Sequence, residues 1–481
     1  MQWMQDKVVT TFTRRALLAT AASAAARSSR GAPAGVKKPN IVFLYSDDQA
    51  AWTLGHSGNR ESHTPHLDRL CRDGAYFTNS FVTTPVCSPA RASLMTSRYS
   101  LETGIEDYLS PTEDADRGLS HDFPVWPAAL RAAGYRTGLV GKWHLGYKPE
   151  FHPTRYGFEY FAGFVGGGSG PMDPELEVDG RVRQFRGSTP DIFTDHAVEF
   201  MRRRRGEPFL LCCHYREPHA SNAPGAGAAR TWLPIPDGDW ARFRELDPAI
   251  PNPNFDGLDT PEVKRMMREY LASVACLDRN VGRVLACLDE LGAARDTVVV
   301  FTADNGMNMG HNGIWHKGNG RYILKNNRGE RPNLFDNSLR APAIVRYPAG
   351  VRAGTRIGET VTNLDWFPTL LSLAGGPLPS GVIRGRDMTP LLMRRRVRWD
   401  NELYCEYNQR HNAQADLRSW RTREWKLVRD LRNRNRDELY DLARDPAEAS
   451  NLIHSTDPAA VSARVRLGRK LEDQAKALYG G

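Results

Sequence analysis

Four short, mostly apolar runs, each ending in a knot of polar residues, constrain this chain more than any other feature. Asn40-Ile-Val-Phe-Leu-Tyr45 runs into Ser46-Asp47-Asp48, and Thr297-Val-Val-Val-Phe-Thr302 runs into Ala303-Asp304-Asn305-Gly306. Thr137 to Val140 precedes Gly141-Lys142-Trp143-His144, and Pro208 to Tyr215 precedes Glu217-Pro218-His219. A run that is apolar without alternation suits a parallel strand covered on both faces. Between the runs lie helical patterns at Val125 to Ala133, Phe193 to Arg203 and, over a long amphipathic stretch, Pro261 to Leu291. Strands alternating with helices predict an α/β domain built on a large mixed, mostly parallel β-sheet flanked by helices. Ligands of such sheets gather at the carboxyl ends of the strands. All four strand ends here carry Asp, Asn, His or Lys.

A chain of 481 residues has room for two to three domains. Near residue 376 the texture changes: Glu424 to Val428 and Glu438 to Asp441 read as short strands, and Ala459 to Ala477 as a helical tail. The expectation is a main domain over 36–375 and a smaller C-terminal α+β domain with an antiparallel sheet over 376–481. Residues 1–35 stand apart, because Lys7, Arg14 and Arg15 precede the small apolar run Ala16 to Ala26. That order reads as a cleavable export signal, and Thr13-Arg14-Arg15-Ala16-Leu17-Leu18 resembles a twin-arginine signal. A periplasmic or extracellular location follows as an expectation. No later stretch approaches the roughly 20 apolar residues that span a bilayer. The segments Gly166 to Gly187 and Ala220 to Asp259, rich in Gly, Pro and Asp, read as long substrate-facing loops.

Charge and cysteine usage exclude some classes. The formal charge is +9, but much of the excess sits in Arg202 to Arg205 and Arg394 to Arg396, runs that read as solvated faces. No nucleic-acid-binding motif accompanies it. Seven cysteines show no structural zinc spacing. Cys212, Cys213, Cys276 and Cys287 read as buried small hydrophobes.

The clustered oxygens of Asp47-Asp48 and Asp304-Asn305 suit a hard divalent cation, Ca²⁺ or Mg²⁺, although each pair is also a common turn sequence. In Val86-Cys87-Ser88-Pro89-Ala90-Arg91, Pro89 suits the first turn of a helix, which sets Cys87 near its N-terminus. Arg91 would there favour an anionic group at position 87. A buried cysteine beside a helix-starting proline fits the same residues.

Cys87-Ser88-Pro89-Ala90-Arg91, followed by Leu94, Thr96 and Thr103-Gly104, resembles the signature of the type I, formylglycine-dependent sulfatases of the alkaline phosphatase superfamily. Other segments match that family in its order: Ser46-Asp47-Asp48-Gln49, Gly141-Lys142-Trp143-His144-Leu145-Gly146, Pro218-His219, Ala303-Asp304-Asn305-Gly306, Trp315-His316-Lys317-Gly318, Leu339-Arg340-Ala341-Pro342 and Leu439-Tyr440-Asp441-Leu442. The resemblance spans about residues 38 to 455. It implies an alkaline-phosphatase/sulfatase-like fold and hydrolysis of the sulfate esters of a sulfated glycan or aryl sulfate. It further implies that a formylglycine-generating enzyme oxidises Cys87 to Cα-formylglycine (3-oxoalanine). One Ca²⁺ would be bound by Asp47, Asp48, Asp304, Asn305 and the group at 87. A hydroxyl of the hydrated aldehyde would attack sulfur, giving a sulfated enzyme. Arg91, Lys142 and Lys317 would hold the hydrate and sulfate oxygens, His219 would protonate the leaving alcohol, and His144 would assist release of sulfate.

Family members commonly carry Gly where Ser97 stands, a departure bearing on maturation. A phosphonate monoesterase or phosphodiesterase of the same superfamily is the nearest alternative; its second metal pair is usually Asp-His rather than Asp-Asn. A non-catalytic binding protein would show a decayed site, and none of the matching residues is lost. His311 and His316 suit either a substrate contact or a surface role, and Trp232 and Trp240 suit loop pinning.

Overall fold

The computed structural model describes residues 38–222 and 230–480. The expected export signal, with Lys7, Arg14 and Arg15, lies outside the described residues. Ten strands form one sheet: β1 Asn40–Ser46, β2 Ala75–Phe81, β3 Arg136–Lys142, β4 Tyr160–Phe164, β5 Glu175–Val178, β6 Arg181–Gln184, β7 Phe209–His214, β8 Thr297–Ala303, β9 Ala343–Arg346 and β10 Thr355–Thr362. Their order is β10-β2-β9-β8-β1-β7-β3-β4-β5-β6. The five central strands, β8 to β4, are parallel, whereas β9 and β5 run against their neighbours.

The non-alternating apolar runs are explained by cover on both faces. Ile41, Phe43 and Tyr45 of β1 join a core with Trp126 and Trp366, and Val42 and Leu44 join a second core with Phe193 and Leu277. Phe43 meets Trp126 at 5.5 Å and Trp366 at 5.9 Å between ring centroids. Each such fully buried side chain contributes roughly 1.5–3 kcal/mol, so the sheet centre is rigid and its strand ends are fixed in space. The predicted helices appear as Trp126–Ala132, Thr189–Arg203 and Thr260–Glu290. The second begins four residues early, because Pro190 sits in its first turn and supplies a helical start where no N–H partner is needed. Cys212, Cys213, Cys276 and Cys287 are buried and free, as expected.

The C-terminal sheet has four antiparallel strands: β11 Leu403–Gln409, β12 Ala415–Arg421, β13 Trp425–Asp430 and β14 Glu438–Asp441. The helix Pro458–Tyr479 covers one face through Leu467 and Ala463 against Leu427 and Leu439. The other face packs Cys405, Tyr407 and Leu417 against Val82, Val86 and Ala303, directly behind the residues at 87 and 304.

One expectation is corrected. The stretch 166–187 is not wholly loop: β5 and β6 form a hairpin joined by Asp179-Gly180, both with positive φ (49° and 77°). Asp-Gly is the favoured pair for such a turn because it tolerates the left-handed backbone. No helix among the described residues is long and apolar enough to cross a membrane.

Candidate active site

Parallel pairing of β1 with β8 sets Ser46 opposite Ala303, so Asp47 and Asp304 leave the sheet side by side. The Asp48 N–H donates to Asp304 Oδ1 at 3.0 Å, locking the two strand ends together. Cys87 begins the helix Cys87–Thr96, with Pro89 in its first turn, as the sequence predicts. Its sulfur lies 3.2 Å from Asp47 Oδ1 and accepts from Lys317 Nζ at 2.7 Å. Lys317 also contacts Asp48 Oδ1. From the end of β3, Lys142 Nζ reaches Asp47 Oδ2 at 2.5 Å. Arg91, one turn along the Cys87 helix, forks onto Asp304 Oδ2 through Nε and Nη2 at 3.1 and 2.9 Å. Its Nη1 donates to the Lys142 carbonyl at 3.1 Å.

Ligand atoms of Asp47, Asp48, Cys87 and Asp304 lie within 4.8 Å of one another, all buried. Asn305 Nδ2 donates to Asp48 Oδ1 at 2.9 Å, which turns its Oδ1 away from that partner. Asp48 Oδ2 and Asn305 Oδ1 are both buried and without a hydrogen-bond partner among the described residues. Leaving a buried oxygen unsatisfied is costly. Grouped carboxylates with orphaned carboxylate and amide oxygens beside them are what a hard, oxygen-seeking cation such as Ca²⁺ requires. The residues present therefore fit the group that the sequence implies.

A cavity of about 480 Å³ opens over this floor. Cys87, His144, His219, His316 and Lys317 line it, together with Tyr108, Tyr147, Asn319, Asn412 and the Gly166–Gly168 run. His219 Nε2 lies 3.8 Å from Asp48 Oδ2. His144 Nε2 meets the Leu109 carbonyl at 3.0 Å. A carbonyl only accepts, so Nε2 carries the proton and Nδ1, which has no partner among the described residues, keeps its lone pair. A Cβ on Gly167 would stand 2.6 Å from His144 Nε2, so that position must lack a side chain. Asp48, His144 and His316 all hold positive φ (65°, 61° and 79°), strain that persists only where surroundings dictate it.

Burial, then Asp304 and Asp47, push the Cys87 thiol well above its usual range. Arg91, as expected, attracts an anion at 87, but its guanidinium is forked onto Asp304 and the attraction is outweighed by burial and the two carboxylates. Unmodified Cys87 is therefore a poor nucleophile. Burial and the neighbouring Asp47 raise Asp304 to about 6, whereas Lys142 and His219 outweigh burial and hold Asp47 well below its usual value. Burial lowers both His144 and His219, with Lys142 adding to it.

Every candidate residue, Asp47, Asp48, Cys87, Arg91, Lys142, His144, His219, Asp304, Asn305 and Lys317, belongs to this one floor and cavity. Of the secondary candidates, His316 lines the cavity but His311 lines a different one. Trp232 is buried and its Nε1 donates to the Pro218 carbonyl at 2.6 Å, so it pins the loop beside His219. Sequence reasoning missed Tyr108, Leu109, Tyr147, Asn319 and Asn412. The only local hint was the Gly166–Gly168 run, which marks a close approach.

The sheet, its polar strand ends and this charged floor define an α/β ester hydrolase of the alkaline-phosphatase-like class. The Sulfatase family profile matches residues 39–376, and that of the N-sulphoglucosamine sulphohydrolase C-terminal region matches 330–477. An N-acetylglucosamine-6-O-sulfatase of Bacteroides thetaiotaomicron is 26% identical, covering 88% of this chain and 84% of that protein. An N-acetylgalactosamine-6-sulfatase of Mus musculus is 30% identical over 76% of this chain and 67% of its own length. A solved structure of a protein with its substrate D-glucosamine-2-N,6-O-disulfate superposes with a TM-score of 0.78 at 24% identity, covering 92% of this chain and 98% of the other. This chain belongs to the sulfatase family and is a sulfuric ester hydrolase.

Proposed function

We propose that the protein removes sulfate from a sulfated glycan, using formylglycine formed at Cys87 and one Ca²⁺ held by Asp47, Asp48, Asp304, Asn305 and the group at 87. The observation carrying this reading is the grouping of Asp47, Asp48, Cys87 and Asp304 ligand atoms within 4.8 Å at the paired strand ends, with Asp48 and Asn305 each keeping an oxygen that no described residue hydrogen-bonds. When bound, the ion offsets charge on the sulfate, and the hydrated aldehyde supplies the attacking hydroxyl. Lys317, already 2.7 Å from the position-87 sulfur, steadies the nucleophile and a sulfate oxygen. Arg91 orients Asp304, and Lys142 orients Asp47 and keeps it charged. His219 gives a proton to the departing sugar oxygen. His144, with its free Nδ1 lone pair, takes the proton whose loss from position 87 releases sulfate.

The cavity is the size of a sugar-binding pocket, and Tyr108, Asn319 and Asn412 give its rim the mixed apolar and amide character that sugars require. The named activities of the relatives, on amino-sugar sulfates, support the same substrate class. The catalytic domain spans 36–375 and the C-terminal domain 376–481, and the protein is exported after maturation by a formylglycine-generating enzyme.

The test compares initial rates on an aryl sulfate and an aryl phosphonate ester, with the protein co-produced with that enzyme and supplied with Ca²⁺. Sulfate turnover should dominate and vanish in Cys87→Ala. Dominant phosphonate turnover would overturn the proposal, and an unmodified peptide mass at position 87 in active protein would overturn the nucleophile.

A further inference from the structure

The two arginine runs, alike in sequence, differ in their surroundings. In Arg202–Arg205 three of the four are paired: Arg202 with Glu290 at 2.9 Å, Arg203 with Glu199, and Arg204 with Glu207 at 3.7 Å. Arg394–Arg396 instead lines a cavity of about 640 Å³ with Arg352 and Arg356. None of these five arginines forms an ion pair among the described residues, and Glu359 is the single carboxylate on the cavity wall. The run is not a floppy tail. Arg394, with φ 54°, ends the helix Thr389–Leu392, and its N–H and that of Arg395 donate to Leu391 and Pro390 carbonyls at 3.0 and 2.8 Å. Five unpaired guanidinium groups on a fixed concave backbone repel one another unless an anion lies between them.

The cavity sits where β10 begins, at Thr355, which pairs with Ala75 at the start of β2. This is the amino end of those two strands. Thr355, Ala75, Val345, Val300 and Phe43 lie level across the sheet. Asp304 and Asp47 thus stand four residues, about 13 Å, further along the strands, and three to four strands away at about 4.8 Å per strand. The arginine cavity is therefore separate from the catalytic one. Arg356 also lines a neighbouring cavity of about 830 Å³, but there Arg60 and Arg340 stand with Glu61 and Asp336, and Arg340 pairs with Asp336 at 3.1 Å, so the surplus of positive charge belongs to the first cavity. Bidentate guanidinium forks match sulfate oxygens, and repeated anions strung along a flexible chain match repeated arginines.

We propose that the cavity formed by Arg352, Arg356 and Arg394–Arg396 is a second binding site, an exosite for a sulfated polysaccharide chain held away from the catalytic pocket. Tethering there raises the effective concentration of further sulfate groups near the enzyme without altering the chemical step. The choice of polysaccharide rests on the glycan reading above, but retention is measured without turnover, so loss of either reading leaves the other testable.

The probe is heparin of defined length, with binding titrated at several salt concentrations. The five-fold variant Arg352→Gln/Arg356→Gln/Arg394→Gln/Arg395→Gln/Arg396→Gln is compared with Arg202→Gln/Arg203→Gln/Arg204→Gln/Arg205→Gln. Arg394→Gln/Arg396→Gln serves as a milder version that leaves the β10 residues untouched. Expected are at least about tenfold weaker heparin binding and a shallower salt dependence for the first variant. The milder variant should fall between, the Arg202–Arg205 variant should stay near wild type, and aryl sulfate turnover should be unchanged in all. Equal weakening by both runs, or none by the first, would overturn the site. Duplex DNA that binds as tightly, with the same arginine dependence, would overturn the assignment to sulfated polysaccharide.

Discussion

Two clusters of buried charge among the described residues, each holding several carboxylates and cations, have different characters. The first is the catalytic floor, where Asp47, Asp48 and Asp304 face Arg91, Lys142 and Lys317. The second joins the C-terminal sheet to the main sheet. There Arg421 forks onto Asp336 at 2.9 to 3.1 Å, and Lys426 bridges Asp336 at 3.0 Å and Glu448 at 2.7 Å. Lys426, Arg421 and Arg340 overcome burial and hold Asp336 well below the carboxylate range, while burial raises Glu448 to about 7. In this second cluster every carboxylate oxygen is satisfied, and its one buried unpaired atom is the Arg340 Nε–H, a donor that no metal can use. The catalytic floor instead leaves acceptor oxygens on Asp48 and Asn305 unused and opens to a cavity. Burial and charge alone do not mark a site; leftover acceptor capacity beside solvent access does.

The largest expected effect sharpens that contrast. Cys87→Ala should abolish sulfate turnover while leaving the urea unfolding midpoint within error of the parent. Stripping divalent metal with a chelator should remove activity as fully, and Ca²⁺ should restore it. Restoration by no divalent ion would contradict the metal reading of the first cluster.

Lysine substitutions test the two clusters against each other. Lys426→Met strands the Asp336 and Glu448 carboxylates and should cost about 3–5 kcal/mol of stability, with the activity of the folded fraction retained. Lys317→Met should lower kcat by about 10²–10³-fold with a smaller loss of stability. If the two variants exchanged these outcomes, the distinction between scaffold and site would fail.

His219→Ala should slow turnover by roughly 10²–10⁴-fold. Burial and Lys142 hold the His219 pKa below its ordinary value, and a bound cation pushes the same way. An acid of lowered pKa keeps its proton only at acidic pH, so kcat/KM should fall as pH rises through the acidic range, and the variant should lose that limb. A rate that climbs with pH instead would reassign the proton donor.

The smallest effect concerns Ser97. It sits at φ 55°, just past the end of the Cys87 helix, where left-handed backbone favours Gly. Its hydroxyl donates to the Leu364 carbonyl at 2.9 Å and accepts from Gly385 N–H at 2.8 Å. Ser97→Gly relieves roughly 1–2 kcal/mol of strain but removes two hydrogen bonds of roughly 0.5–1.5 kcal/mol each. The net change in melting behaviour should lie within about 1 kcal/mol of zero.

Much of the fold was legible because strong local patterns agree with it. The run from Asn40 to Tyr45 shows its double cover in its composition, and the Thr260–Glu290 helix shows its apolar stripe. The strand β12 alternates buried and half-buried residues and was overlooked, because Arg and Asp punctuate it as they would a loop. Its partner β11 is buried throughout yet contains Glu406, Asn408 and Gln409, whose polarity hides the strand. Glu406 is buried because Ser100, Leu101 and Tyr479, distant in sequence, and Tyr404, two residues earlier on the same strand, donate to it.

The sequence by itself determined the chemistry: which residue types stand at the strand ends, which cysteine opens a helix, and the order that marks a sulfatase. Tertiary structure alone decided their convergence. Asp48 and Asp304 meet across 256 positions because β1 and β8 pair in register. The C-terminal sheet reaches the cavity because Tyr407, Arg410 and His411 donate to Asp107, fixing the segment whose Leu109 carbonyl orients His144. Two similar arginine runs acquired opposite characters through the carboxylates folded beside them. Ion pairing, burial and unsatisfied valence depend on distances between remote residues, and distance is what a linear sequence does not carry.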